Sequence, residues 1–277
     1  MSKLATRAIT ALFFAIVMLG VSYFKFGYLI LFTLITAFST LEFLKITKSL
    51  RDERENAIFR KTYTVLINVT SFIITALILF YGTEAKYLLV IPAMLFGLFI
   101  IELYSKAESP FVNIAINLSA VVYIGIPFAL LNFIVFYNGI YYSGNLYGIL
   151  MMIWIYDAGA YLVGSKFGKT PLFPRISPNK TREGSLGGLL LLTAIGFSLG
   201  QIVFFTKILT PIDWVIVSWL IAYFSATGDL IESMLKRSLN IKDSGDLLPG
   251  HGGLLDRFDA FIFVIPFIAL YIVVFSA

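Results

Sequence analysis

Five acidic residues lie in or beside apolar runs in the second half of this 277-residue chain. Asp157 sits inside MMIWIYDAGAYLVG, Asp229 and Glu232 close YFSATGDLIESMLKR, and Asp256 and Asp259 fall within LLDRFDAF. Asp229, Ser233 and Lys236 are spaced i, i+4 and i+7, one face of a continuing helix, and Asp256 and Asp259 are three apart, again on one face. An antiparallel hairpin of the two helices would bring Asp229 opposite Asp256. Carboxylates that close repel unless a cation lies between them or one is protonated. The chain has no cysteine and one histidine, His251, so an oxygen-only donor set favours a hard cation, Mg²⁺ over Zn²⁺. Plainer roles also exist: Asp256 as a helix N-cap, Asp259 as a first-turn acid and Asp229 as the partner of Lys236.

Basic residues gather beside these acids. Lys236, Arg237, Lys242 and Arg257 interleave with Asp243, Asp246, Asp256 and Asp259 between residues 233 and 259. Within that stretch PGHGG offers Gly252 and Gly253, whose unencumbered backbone N–H groups can wrap an anion, next to His251. A second polar stretch, GSKFGKTPLFPRISPNKTREGSLGG over 164–188, contributes Lys180 and Arg182 as anion contacts. Its GKT is not a phosphate loop, because the full frame needs glycine where Val163 stands and no strand context is evident.

The elements that must position these groups belong to a membrane. Hydrophobic residues make up 59% of the chain and charged residues 13%, against about 25% charged in a soluble domain. Nine runs approach the roughly 20 residues of a bilayer-spanning helix, at about 8–24, 27–44, 63–82, 87–104, 112–137, 145–165, 186–206, 212–231 and 258–276. The first, behind Lys3 and Arg7, shows no convincing cleavage site and is read as a retained helix. With a cytoplasmic N-terminus, 18 of the 21 Lys and Arg fall inside and three outside, a strong positive-inside bias. That bias accounts for the basic pI, and no nucleic-acid partner is expected. The expected fold is all-α: a polytopic integral membrane protein of about nine transmembrane helices. Residues 1–145 form a helical scaffold and 146–277 a catalytic half with cytoplasmic loops. The insert 45–62 reads as an amphipathic surface helix, and Glu42 and Glu102 as interfacial acids. In this topology Asp157, Asp229, Asp256 and Asp259 all lie toward the inner face. A charge at mid-membrane costs roughly 2.5–3.5 kcal/mol, so clustered acids need compensation.

Residues 233–259 resemble the signature of the phosphatidate cytidylyltransferases, the CDP-diacylglycerol synthases: S-x-L-K-R, four residues, K-D-x-G, then L-P-x-H-G-G-L-x-D-R-F-D. DAGAYLVGSKFGKT…ISPNKTREGSLGG resembles the family's upstream region, with Ala158 where a small hydroxyl residue is expected. The specific resemblance covers roughly 154–259. It implies transfer of CMP from CTP to phosphatidic acid, giving CDP-diacylglycerol and pyrophosphate, in a bacterial-type cytoplasmic membrane with the site facing the cytoplasm. It further implies Asp229 and Asp256 as Mg²⁺ ligands, with Asp259 a further ligand or orienting group and room for a second cation. Lys236, Arg237, Lys242 and Lys180 would grip phosphates, and Asp243 would orient Lys242 or contact the nucleotide. Ser233, Asp157, His251, Gly252, Gly253 and Arg257 complete the expected substrate contacts. A homodimer is compatible with this reading. Two other classes compete. A membrane transferase of CDP-alcohol chemistry would carry a D-G…A-R…G…D…D spacing, which is absent. An ion-coupled transporter would place acids at the midplane beside internal repeats.

Overall fold

The computed structural model describes residues 3–51, 57–245 and 252–276. His251 and Asp246 lie outside them. The fold is all-α, with helices α1 Lys3–Ser22, α2 Lys25–Ile46, α3 Ala57–Tyr81, α4 Val90–Leu103, α5 Pro110–Ala120, α6 Ile126–Val135, α7 Ser143–Phe167, α8 Arg182–Leu199, α9 Pro211–Ser238 and α10 Leu255–Tyr271. A π-helical turn, Val121–Gly125, joins α5 to α6. Among the described residues the helices therefore make nine rods, one for each apolar run. Seven are long and apolar enough to cross a membrane, and the chain is a polytopic membrane protein. Large apolar side chains such as Phe13, Leu34, Phe96 and Leu190 are exposed, as lipid-facing residues are.

Three sequence expectations change. The seventh run ends early: α8 stops at Leu199, and its 18 residues rise only about 27 Å, short of a hydrocarbon core of roughly 30 Å. The eighth extends: α9 continues to Ser238, and its 28 residues span about 42 Å, so its last turns project beyond the core. The insert 45–62 forms no separate surface helix among the described residues; a 3₁₀ turn, Thr47–Leu50, follows α2, and α3 begins at Ala57.

The chain divides into two compact units. The first comprises 1–132, 138–141 and 239–257. Its interior is apolar but laced with amides and hydroxyls, several of which hydrogen-bond one another across helices. Tyr28 donates to Asn132 Oδ1 at 3.0 Å, and Asn132 donates to Thr75 Oγ1 at 2.9 Å. Asn68 donates to Thr40 Oγ1 at 2.8 Å and to the Ala120 carbonyl at 3.3 Å, beside the π-helical turn that follows. Gly125 leaves room for that amide, because a Cβ there would overlap Asn68 Oδ1.

Glu102 is buried and pairs with buried Arg60 at 2.9 Å, and it accepts hydrogen bonds from Ser105 (2.9 Å) and Asn113 (3.3 Å). It is a buried ion-pair partner at the end of α4. Glu102→Ala is expected to cost about 3–5 kcal/mol, since it strands a buried guanidinium. A thermal melt of the purified variant in detergent measures this.

The second unit comprises 133–137, 142–238 and 258–277, with α7, α8 and α9 packed on one another. In place of a plain loop, the polar segment after α7 forms a hairpin in which Pro171–Phe173 pairs antiparallel with Ser177–Thr181. Pro171, Pro174 and Pro178 explain why it is not helical, since proline removes the amide donor that a helix interior needs.

Candidate functional site

Small residues let the elements of the second unit meet at backbone distance. On α7 and α8, a Cβ at Gly184 would lie 3.0 Å from the Gly164 Cα, and one at Gly188 would lie 2.8 Å from the Tyr156 ring. Between α9 and α10, a Cβ at Gly228 would meet Asp259 O at 2.9 Å and Ala260 Cα at 3.2 Å. The glycine preceding Asp229 is thus what permits α10 to approach with Asp259. Thr181 caps α8 by accepting from Gly184 N at 3.2 Å. Glu183 accepts the amides of Lys169 and Thr170, both at 3.1 Å, so these GKT amides are met by the chain's own carboxylate. The Glu183 carboxyl is held down to about 2 by its own backbone amide first, then by those of Lys169 and Thr170.

A cavity of about 500 Å³ opens between these elements, lined by Tyr156, Asp157, Asn179, Lys180, Ser185 and Asp229 among others. Lys180 projects from the hairpin and forms an ion pair with Asp229. Ligand oxygens of Asp229, Glu232 and Asp259 lie within 4.8 Å of one another. Lys236 pairs with buried Glu232 at 2.8 Å, one turn along α9. Ser233 Oγ lies 3.5 Å from Asp229 Oδ1. Asp229, Glu232 and Asp259, with Asp157 in the cavity beside Asp229, outnumber the two lysines, a crowding of acids that a divalent cation would relieve.

The donor set also fits such an ion. Mg–O bonds of about 2.1 Å separate ligand oxygens by roughly 3–4.2 Å, so oxygens within 4.8 Å of one another need only a small approach to share the ion. Next to this cavity lies a more apolar one of about 400 Å³, lined by Leu172, Phe173, Leu189, Trp219, Tyr223 and Leu230. Tyr156, Ser185 and Ala226 line both.

The second unit thus unites Asp157, Lys180, Asp229, Ser233, Lys236 and Asp259. Arg237 is exposed on the last turn of α9. Lys242, Asp243, Gly252, Gly253, Asp256 and Arg257 belong to the first unit. There Lys242, Asp243 and Arg257 are exposed, and Gly252 adopts the left-handed region at φ +79°. Asp256 Oδ2 accepts the amides of Gly253 at 2.9 Å and Ser244 at 3.0 Å. The expected anion-wrapping amide of Gly253 is therefore turned onto a carboxylate three residues on.

The sequence reading missed Glu232 as a site residue, although its i+3 spacing from Asp229 puts it on the same helical face. Tyr156, Asn179 and Ser185 were also missed. They carry no charge to single them out, and only the closeness of α7, α8 and the hairpin turns them inward.

Comparison with known proteins identifies the family. The profile of the cytidylyltransferase family matches residues 5–275. The chain is 39% identical over 187 residues to a phosphatidate cytidylyltransferase of Staphylococcus aureus (strain COL), covering 65% of this chain and 67% of the relative. It is 40% identical to that of Staphylococcus haemolyticus over the same shares. With the Bacillus subtilis (strain 168) phosphatidate cytidylyltransferase it shares 45% identity over 132 residues, 46% of each chain.

Proposed function

This chain belongs to the cytidylyltransferase family, and on that premise we propose that it transfers CMP from CTP to phosphatidic acid, forming CDP-diacylglycerol and pyrophosphate. The observation that carries this reading is the cavity holding Asp157, Lys180 and Asp229, beside the Asp229–Glu232–Asp259 cluster, set against an apolar cavity with a shared wall. An amphiphilic phosphate ester needs both kinds of surface, and a nucleoside triphosphate needs the first.

In the reaction a phosphate oxygen of the lipid attacks the α-phosphorus of CTP, a new P–O bond forms, and the bond to pyrophosphate breaks. Both substrates are anionic, so catalysis rests on positioning and charge neutralisation. Lys180 and Lys236 hold phosphate oxygens, with Arg237 and Lys242 assigned the same task on sequence grounds. Ser185, Asn179 and Tyr156 orient the acceptor headgroup, and its acyl chains lie along Trp219, Tyr223 and Leu189. Asp229, Glu232 and Asp259 would hold Mg²⁺, with Asp256 as the ligand expected from sequence; when bound, such an ion would supply positive charge to the phosphates. The site faces the cytoplasm, where CTP is found.

The test is purified protein with phosphatidic acid and radiolabelled CTP, with and without Mg²⁺. Label entering the lipid phase only when metal and acceptor are both present is the expected result. Ion flux without lipid labelling would instead identify a transporter. Within this assay Lys180→Ala is expected to lower the rate about 10- to 100-fold and to raise the CTP requirement. Its Mg²⁺ half-saturation should not weaken, because Asp229 loses a competing cation. A higher Mg²⁺ half-saturation would give Lys180 a different role.

A further inference from the structure

We propose that Glu42, on α2 in the N-terminal helices, is a positioning residue for the segment that carries Lys242, Asp243 and Asp256. This rests on the cytidylyl-transfer reading above. Glu42 Oε2 accepts the amide of Leu255 at 2.8 Å, a contact spanning 213 residues of sequence. Leu255 begins α10, and the first amides of a helix have no partner within it, so an outside acceptor must supply one. The Asp256 carboxylate takes two more of the neighbouring amides, those of Ser244 and Gly253. Two carboxylates thus hold both described flanks of the segment, Ser244–Gly245 and Gly252–Asp256.

Two glycines are cut to fit Glu42. A Cβ at Gly245 would overlap Glu42 Oε1, and the three nearest atoms it would meet all belong to Glu42. A Cβ at Gly253 would overlap Glu42 Oε1 and Ser244 Oγ. Both glycines belong to the sequence signature, K-D-x-G and H-G-G. Their absence of a side chain is explained here by a carboxylate from the other end of the chain. Gly252 is required for a separate reason, its φ of +79°.

The experiment compares wild type, Glu42→Ala, Glu42→Gln, Gly245→Ala and the Glu42→Ala/Gly245→Ala pair. Each is assayed for CMP transfer across CTP concentrations and by hydrogen–deuterium exchange of the peptide spanning Leu255. Glu42→Ala is expected to lower kcat/KM for CTP roughly 10- to 100-fold, the loss of one hydrogen bond to a charged acceptor. It should also speed exchange in that peptide while the melting temperature stays near wild type. Glu42→Gln keeps an acceptor oxygen and is expected to recover most of both. Gly245→Ala displaces the Glu42 carboxylate and should resemble Glu42→Ala, yet add nothing to it in the pair. Activity of Glu42→Ala within twofold of wild type, no rescue by glutamine, or additive losses in the pair would each overturn the proposal. A wild-type protein that labels no lipid sinks the functional reading instead, and the exchange results still decide whether Glu42 holds the segment.

Discussion

Asp229→Asn is expected to abolish CMP transfer, by about 10³-fold or more, while the protein remains folded and monodisperse in detergent. Asp229 stands at the meeting point of the candidate site. It shares a cavity with Asp157, pairs with Lys180, and lies within ligand distance of Glu232 and Asp259. An amide is nearly isosteric with the carboxylate, so packing at Gly228 is undisturbed, but the charge that would draw Mg²⁺ and Lys180 is gone. Metal ions stabilise transition-state charge by several kcal/mol, and about 4 kcal/mol corresponds to 10³ in rate. The check is the labelling assay across a Mg²⁺ titration. A residual rate restored by high Mg²⁺ fits a weakened site. Near-normal activity at ordinary Mg²⁺ would remove Asp229 from the reaction.

Asp256→Asn is the second substitution with a large expected effect, again a loss of about 10³-fold. Two roles meet in this side chain, and the variants separate them. As a clamp, Oδ2 accepts the amides of Ser244 and Gly253, and an asparagine oxygen can go on doing so. As a metal ligand, the residue needs its negative charge. Asparagine therefore keeps the clamp and loses the ligand, whereas alanine loses both. Equal inactivity of the two variants, with unchanged hydrogen exchange in Asp256→Asn, supports the ligand role. An active asparagine variant beside an inactive alanine one would reduce Asp256 to a structural clamp.

Both predictions start from residues that were legible in the chain. An acid near the end of an apolar run is conspicuous because lipid makes it costly, and the i, i+4, i+7 spacing on α9 needed only helical periodicity to read. The all-α membrane fold was legible for the same reason, since hydropathy acts on each rod separately. Where a rod ends was less so. α8 stops at Leu199 although apolar residues continue, and α9 runs on to Ser238 through polar ones, because packing and capping set those ends rather than hydropathy.

The amino-acid sequence by itself determined that the chain is a polytopic membrane protein, which acids stand beside its apolar runs, and which family its signature belongs to. Those properties follow from composition and from short-range spacing, which are written residue by residue. Only the tertiary structure decided which distant groups partner: Lys180 with Asp229, Arg60 with Glu102, and Glu42 with the amide of Leu255. Such pairings depend on how closely two backbones approach. That closeness is set by glycines such as Gly164, Gly184 and Gly228, whose effect lies in the atoms they lack and is felt only once the helices have met.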